Sequence, residues 1–125
     1  MAADMITVQV FANTGESLMA RLTVADAVKV RSEVTSIAYS IQEQQWNSTT
    51  REWESDGTAP VTGALVVATV MMTVVTAWGK DEGGYTFKWD AAGTLWPTAD
   101  IAYEVTVSFV VSSITYRLKW MVETK

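Results

Sequence analysis

Apolar and polar side chains alternate with a period of two along most of the chain, a pattern typical of half-buried β-strands. The longest run has apolar residues at every second position: Tyr103, Val105, Val107, Phe109 and Val111. Shorter runs of the same kind predict strands near residues 6–10, 17–25, 36–42, 85–89 and 116–122. No segment sustains the 3.6-residue period of an amphipathic helix, so the pattern predicts strands throughout.

Turn-forming residues separate these runs and set the strand count. Trp46 and Trp53 bracket the polar residues 47–52, which predicts a hairpin loop between two short strands. Residues 55–60 are the clearest break, and the glycines of residues 79–84 predict a tight connection. We therefore predict an all-β fold of seven to nine strands in a single domain spanning residues 1–125. An antiparallel β-sandwich, either Ig-like or jelly-roll, suits that count.

Residues 61–78 form the most apolar stretch and have borderline length for a membrane span. Val and Thr dominate it, and these β-branched residues favour strands over helices. The flanks also lack the basic cluster on one side that orients a transmembrane helix. We expect no membrane span here, but a long buried strand or a pair of strands.

Composition excludes several kinds of chemistry. The 125 residues include no cysteine and no histidine, which removes disulfides, Cys/His zinc clusters and nucleophilic mechanisms that need either residue. The formal net charge of −5 is opposite to what a nucleic-acid groove requires, so no nucleic-acid partner is expected. We predict a non-enzymatic protein without a metal or other cofactor and without a small-molecule ligand.

Two groups of carboxylates offer alternatives to that prediction. Glu52 and Glu54 flank Trp53 and point to one face of a strand, a spacing near that of the two acids of a glycosidase. A hydrolase of this kind requires both acids in a concave pocket. Asp81, Glu82 and Asp90 carry oxygens for a surface calcium site, although the spacing of an EF-hand is missing and a solvated turn is the default interpretation.

Six tryptophans supply most of the remaining functional information. Trp89 and Trp120 lie inside alternating strands, so we expect them in the core. Trp46, Trp53 and Trp96 lie beside turns, so we expect partial exposure and propose them as interface residues, since Trp is enriched at the energetic centres of protein interfaces. The alternative is a carbohydrate-binding module in which the same exposed rings stack on sugars.

The low charge content points to extensive protein contacts. Charged residues make up 18 % of the chain and hydrophobic residues 49 %, whereas soluble domains average about 25 % charged residues. A small domain cannot hide that much apolar area alone. We therefore expect it to bury surface against copies of itself or another protein.

Residues 78–87 contain an aromatic strand end, an acidic-glycine turn and a Gly-Tyr-x-Phe strand. A Trp-Pro break at residues 96–97 and a strand from residue 103 follow. This order is similar to small Ig-like β-sandwich proteins of bacteriophage and prophage structural modules. Residues 34–41 resemble the strand that such proteins place before a variable loop, and the resemblance covers about half of the chain.

The resemblance implies a virion component that is assembled in the bacterial cytoplasm. It would be a capsid decoration (cement) protein or a head–tail or tail accessory protein. Its partners would be copies of itself and a major capsid or tail protein. The resemblance carries no catalytic residues.

Overall fold

The fold is all-β, as the alternation predicts. A computed structural model describes residues 5–24, 27–78 and 81–125, without the side chains of residues 5–8, 74–78 and 81–85. The strands are β1 Met5–Val10, β2 Glu16–Ala20, β3 Thr23–Val24, β4 Ala27–Val28, β5 Ser36–Asn47, β6 Glu52–Ser55, β7 Val61–Leu65, β8 Met71–Trp78, β9 Asp81–Ala91, β10 Ala102–Val111 and β11 Ile114–Thr124. The described part thus contains more strands than the seven to nine predicted, and the two-residue β3 and β4 account for much of the excess.

Two larger sheets carry most of the strands. The first has the order β1-β11-β10-β5-β6, and β7 pairs with another part of β5; the second has the order β2-β9-β8. β1 lies parallel to β11, and the other described pairings are antiparallel. Immunoglobulin domains share part of this order, since their strands B-E-D and G-F-C lie side by side as β2-β9-β8 and β11-β10-β5 do here, whereas their strand A belongs to the B-E-D sheet. Strand order is thus that of an all-β, sandwich-like fold.

Aromatic side chains join the two sheets into a sandwich-like core. Phe87 of β9 makes an edge contact with Phe109 of β10, with ring centroids 5.2 Å apart, and lies 5.6 Å from the ring of Trp120 on β11. Trp89 of β9 lies 4.8 Å from the ring of Tyr39 on β5. Trp89 and Trp120 are both buried, which confirms the prediction that they belong to the core.

A hydrogen-bonded corner fixes the start of β10. The Thr98 backbone N–H donates to the Tyr103 hydroxyl oxygen at 3.0 Å, and the Thr124 hydroxyl lies 2.6 Å from the Thr98 carbonyl oxygen. Immunoglobulin sandwiches carry a tyrosine at the same place, with its hydroxyl bonded to the backbone a few residues upstream. This corner supports the same strand assignment as the sheet order.

The predicted strand over residues 17–25 is wrong in its length. β2 ends at Ala20 because the chain then leaves the ladder: the Leu22 N–H donates to the buried Thr86 hydroxyl at 3.0 Å. The Lys29 N–H donates to the Leu22 carbonyl at 2.8 Å and closes the small β3–β4 hairpin. The strand therefore ends at a hydrogen bond to the Thr86 side chain, although the alternation of apolar and polar residues continues beyond it.

The apolar residues 61–78 form two strands, as one of the two expectations had it, but these strands do not pair with each other. β7 joins the first sheet and β8 the second, and the four-residue helix α1 Val67–Val70 connects them. Within the described residues, no helix is long and apolar enough to cross a membrane. The expected burial holds for Val70 and Met71 but fails for Val61, which is 50 % exposed.

The expected connection over residues 79–84 is shorter than predicted. β9 already begins at Asp81, so Gly83 and Gly84 lie within a strand, and Trp78 pairs with Asp81. The rest of the predicted connection, residues 79 and 80, lies outside the described residues.

Candidate functional site

The β5–β6 hairpin extends past the end of the neighbouring strand β10. The last residue of β5 that pairs with β10 is Gln44, whereas the strand continues to Asn47. The final residues of β5 therefore pair with β6 alone. This confirms the predicted hairpin and makes it a projection from one end of the six-stranded sheet.

Asn47 shapes the tip of this hairpin. Its side-chain oxygen accepts hydrogen bonds from the N–H groups of Thr49 and Thr50, at 2.9 Å and 3.2 Å. The Arg51 N–H donates to the Asn47 carbonyl at 2.7 Å, and Arg51 adopts a φ of 58°. Short polar side chains that bond the backbone ahead of them favour turns over continued strand. The polar loop thus supplies its own hydrogen bonds.

Trp46 and Trp53 are direct partners across the hairpin ladder. Their ring centroids lie 5.3 Å apart and their planes meet at 69°, an edge-to-face contact. Trp46 is 52 % exposed and Trp53 is half-buried. The sequence predicted both residues to be partly exposed, and the structure brings them together into one aromatic surface, which we call the Trp pair.

Carboxylates surround the Trp pair in sequence and give the hairpin negative charge. Residues 43–56 carry four carboxylates and one arginine, a balance of −3 within a chain whose formal net charge is −5. Glu52 and Glu54 flank Trp53 and are exposed, on the opposite face of the ladder from its ring. The Asn47 side-chain amide donates to Glu54 at 3.0 Å.

A pair of carboxyl groups lies at the base of the hairpin. A side-chain hydrogen bond with Asp56, followed by burial and charge repulsion, raises the pKa of Glu43 above its usual value. The pKa of Asp56 is lowered, chiefly because its carboxylate accepts the Thr58 N–H at 2.9 Å. The proton that these groups share therefore resides on Glu43 when the pH falls.

Trp96 does not belong to this surface, and its expected exposure is wrong. The side chain is 0 % exposed, and its indole N–H donates to the Thr14 carbonyl at 2.7 Å. Trp96 directly follows the short 3₁₀ turn Gly93–Leu95 and packs in the buried core cluster. Trp46 and Trp96 both lie beside turns, but Trp46 is exposed and Trp96 is buried. Trp96 therefore has no exposed surface that a partner could contact.

The structure bears on the two carboxylate alternatives, the hydrolase and the calcium site. The hydrolase hypothesis needs Glu52 and Glu54 in a concave pocket, whereas both are exposed on a projecting hairpin. For the calcium hypothesis, the side chains of Asp81 and Glu82 lie outside the described residues. Asp90 stands at the other end of the same strand, about 30 Å away at strand spacing, and its carboxylate accepts the Ser17 hydroxyl. Asp90 therefore cannot complete that site.

The apolar run over residues 61–78 holds two exposed aliphatic residues that the sequence did not predict, one on β7 and one just beyond it. Val61 is 50 % exposed and Val66 is 66 % exposed. The apolar run over residues 61–78 predicted that Val61 is buried. Whether the second sheet reaches far enough to cover it depends on tertiary packing, so the sequence held no local sign of this exposure.

No protein-family model, curated protein or solved structure matches the chain.

Proposed function

We propose that this protein is a non-enzymatic structural component of a phage-like virion, either a capsid decoration protein or a head–tail or tail accessory protein. Its work would be to bind copies of itself and a major capsid or tail protein. The observation that carries this proposal is the Trp pair, a large aromatic surface held half-exposed on a projecting hairpin.

The Trp pair suits a protein contact because its side chains are already ordered in the free protein and lose little conformational entropy on binding. Each ring is held by the other, so binding immobilises little that was mobile, and large aromatic groups dominate the energetics of interfaces. The carboxylates of the hairpin favour a partner surface with positive charge around an apolar pocket. Many symmetry-related copies on a particle would add avidity to a modest single contact.

The virion assignment draws on the resemblance of the aromatic and turn pattern to Ig-like phage structural proteins. The strand order and the Tyr103 corner support the Ig-like part of that resemblance. Since a fold alone does not determine function, the particle itself has to be examined.

The test is the composition of purified particles. Phage-like particles from cells that encode the chain are banded on a density gradient and analysed by quantitative mass spectrometry. We expect the chain in the particle band at a fixed ratio to the major capsid or tail protein. Its absence from that band, while the free protein is abundant in the lysate, would overturn the proposal.

Carbohydrate binding is the second candidate, and the half-exposed ring of Trp46 is the observation that favours it. A sugar stacking on this ring would change tryptophan fluorescence in the isolated protein. Titration with a panel of soluble oligosaccharides, with Trp46→Ala as control, distinguishes the two functions. A saturable change lost in the variant favours the sugar module, and no change favours the structural role.

A further inference from the structure

β7 is an open edge of the six-stranded sheet. It pairs with β5 on one side, and no described strand lies on its other side. Unpaired backbone N–H and C=O groups along such an edge form a template for another strand. Natural proteins protect such an edge by keeping it short or with charge, a bulge or a proline; β7 is five residues long and follows Pro60, but Val61–Leu65 carries no charge, bulge or proline over its paired length.

A groove opens beside this edge. It has a volume of about 320 Å³ and is lined by residues 64–66, by Thr69 and Val70 of α1, and by Lys88 to Asp90 of β9. It exists because β8 begins its pairing with β9 at Met71 opposite Phe87, so the following part of β9 has no described strand on that side. The edge and the groove together form an unfilled, mostly apolar site.

The sequence of β7 is complementary to itself. An antiparallel pairing of two β7 strands about a two-fold axis at Gly63 sets Val61 of each copy opposite Leu65 of the other. Val61 and Leu65 share the core-facing side of the strand, because their β5 partners Ile41 and Ile37 are both buried. The half-exposed Val61 of one copy would therefore enter the groove beside Leu65 of the other.

We propose that two copies of this chain associate through β7, antiparallel and two-fold about Gly63, into one continuous sheet. The pairing uses a surface separate from the Trp pair and does not depend on the virion role, so each can fail alone.

The self-complementary sequence of β7 favours a second copy as the occupant, and the edge carries no charge that would repel it. Identical molecules of net charge −5 repel each other, and residues 61–66 form an edge without charge on which they can meet. The edge spans only about 17 Å, so the interface lies at the small end of the specific range, below roughly 1,200 Å². We expect a reversible dimer that high local concentration favours.

Cysteine cross-linking tests the register, since the chain has no cysteine of its own. The two-fold pairing places Thr62 opposite Ala64 of the other copy, at a Cα separation of about 5 Å that a disulfide can span. Thr62→Cys and Ala64→Cys proteins, mixed under mild oxidation, should give a covalent heterodimer in high yield. Either variant alone places its cysteines about 8 Å apart, beyond disulfide reach, and should remain largely uncross-linked.

Sedimentation velocity across a range of concentrations tests the association without cross-linking. Wild-type protein should show a concentration-dependent dimer that Ala64→Lys abolishes, because a lysine at an edge position blocks strand pairing and the two lysines would lie on one face about 8 Å apart across the seam. Thr115→Lys adds the same charge on an exposed residue within the sheet and should leave the dimer intact. A monomer at every concentration, or equal cross-linking in the single-variant samples, would overturn the proposal.

Discussion

Trp46 and Trp53 meet edge to face across a hairpin, with ring centroids 5.3 Å apart, while Trp46 stays 52 % exposed. Each ring therefore stabilises the hairpin and leaves part of its surface available. A buried aromatic pair would only stabilise, and a lone exposed ring would lose side-chain entropy on binding. The same pair thus links the local structure of the hairpin to its proposed use in assembly.

Replacing Trp53 should separate local from global stability. We expect Trp53→Ala to lower the free energy of unfolding by about 1 kcal/mol, the value of an aromatic pair on a half-exposed surface. Trp120→Ala, in the buried core, should cost about 3–5 kcal/mol. Urea denaturation followed by circular dichroism measures both. Equal losses would mean that the hairpin is an integral part of the core.

The buried hydrogen bond of Trp96 makes a second prediction. Trp96→Phe keeps an aromatic ring but removes the N–H that donates to the Thr14 carbonyl at 2.7 Å. We expect a loss of about 1–3 kcal/mol, because a part-buried acceptor is left without its partner. Trp46→Phe is the matched control and should change stability by less than about 0.5 kcal/mol, as an exposed substitution does. Similar values for the two variants would contradict the burial assigned to Trp96.

The side chain of Tyr39, across the ladder on β5, leaves room only for a glycine at position 63. A Cβ at this position would lie 2.5 to 2.7 Å from the ring and hydroxyl of Tyr39, so Gly63→Ala should cost about 1–3 kcal/mol through overpacking. Removing the ring should relieve the clash, so Gly63→Ala in a Tyr39→Ala background should cost much less. A double-mutant cycle by chemical denaturation measures that coupling. An unchanged cost in both backgrounds would place the strain elsewhere.

The Glu43–Asp56 pair predicts a dependence of stability on pH. Because the pKa of Glu43 is raised in the folded state, the folded protein binds the proton more tightly than the unfolded chain. Its contribution to stability is therefore full below the ordinary glutamate pKa and is lost as pH rises through the raised value. Asp56 acts in the opposite sense, with stability lost as pH falls, since its pKa is lowered.

Glu43→Gln should abolish the Glu43 part of this dependence. The amide is neutral at every pH and donates to Asp56, so the variant should match wild type at low pH and exceed it near neutrality. Glu52→Gln removes the same charge from the exposed hairpin and serves as control for net charge. Thermal denaturation from pH 3 to 8 gives the comparison, and a pH-independent difference between Glu43→Gln and wild type would contradict the assigned direction.

The strands were predictable where alternation alone decides the outcome. Val105 and Val107 lie on the buried face of β10 as the pattern requires, and the polar loop after Trp46 forms the expected hairpin. The alternation over residues 17–25 predicted too long a strand, because the pattern does not show that the Leu22 N–H donates to the Thr86 hydroxyl on another strand. Local pattern gives the faces of a strand, and tertiary hydrogen bonds decide where it ends.

The candidate site was predictable only in part, for a related reason. Trp46 and Trp96 both lie beside turns, yet Trp46 is 52 % exposed on the hairpin and Trp96 is buried with its indole N–H bonded to the Thr14 carbonyl. Exposure depends on what packs above a residue. The same is true of Val61, which lies in an apolar run predicted to be buried and which is 50 % exposed.

Particle occupancy of a Trp46→Ala/Trp53→Ala variant tests the central claim most directly. Quantitative mass spectrometry of density-purified particles would compare this variant with wild type and with Thr115→Lys, a surface variant outside the hairpin. All three proteins are expressed at equal levels, and their folding is checked by circular dichroism. We predict a strong loss of the Trp-pair variant from particles and wild-type occupancy for Thr115→Lys. Wild-type occupancy of a folded Trp-pair variant would contradict the role assigned to this surface.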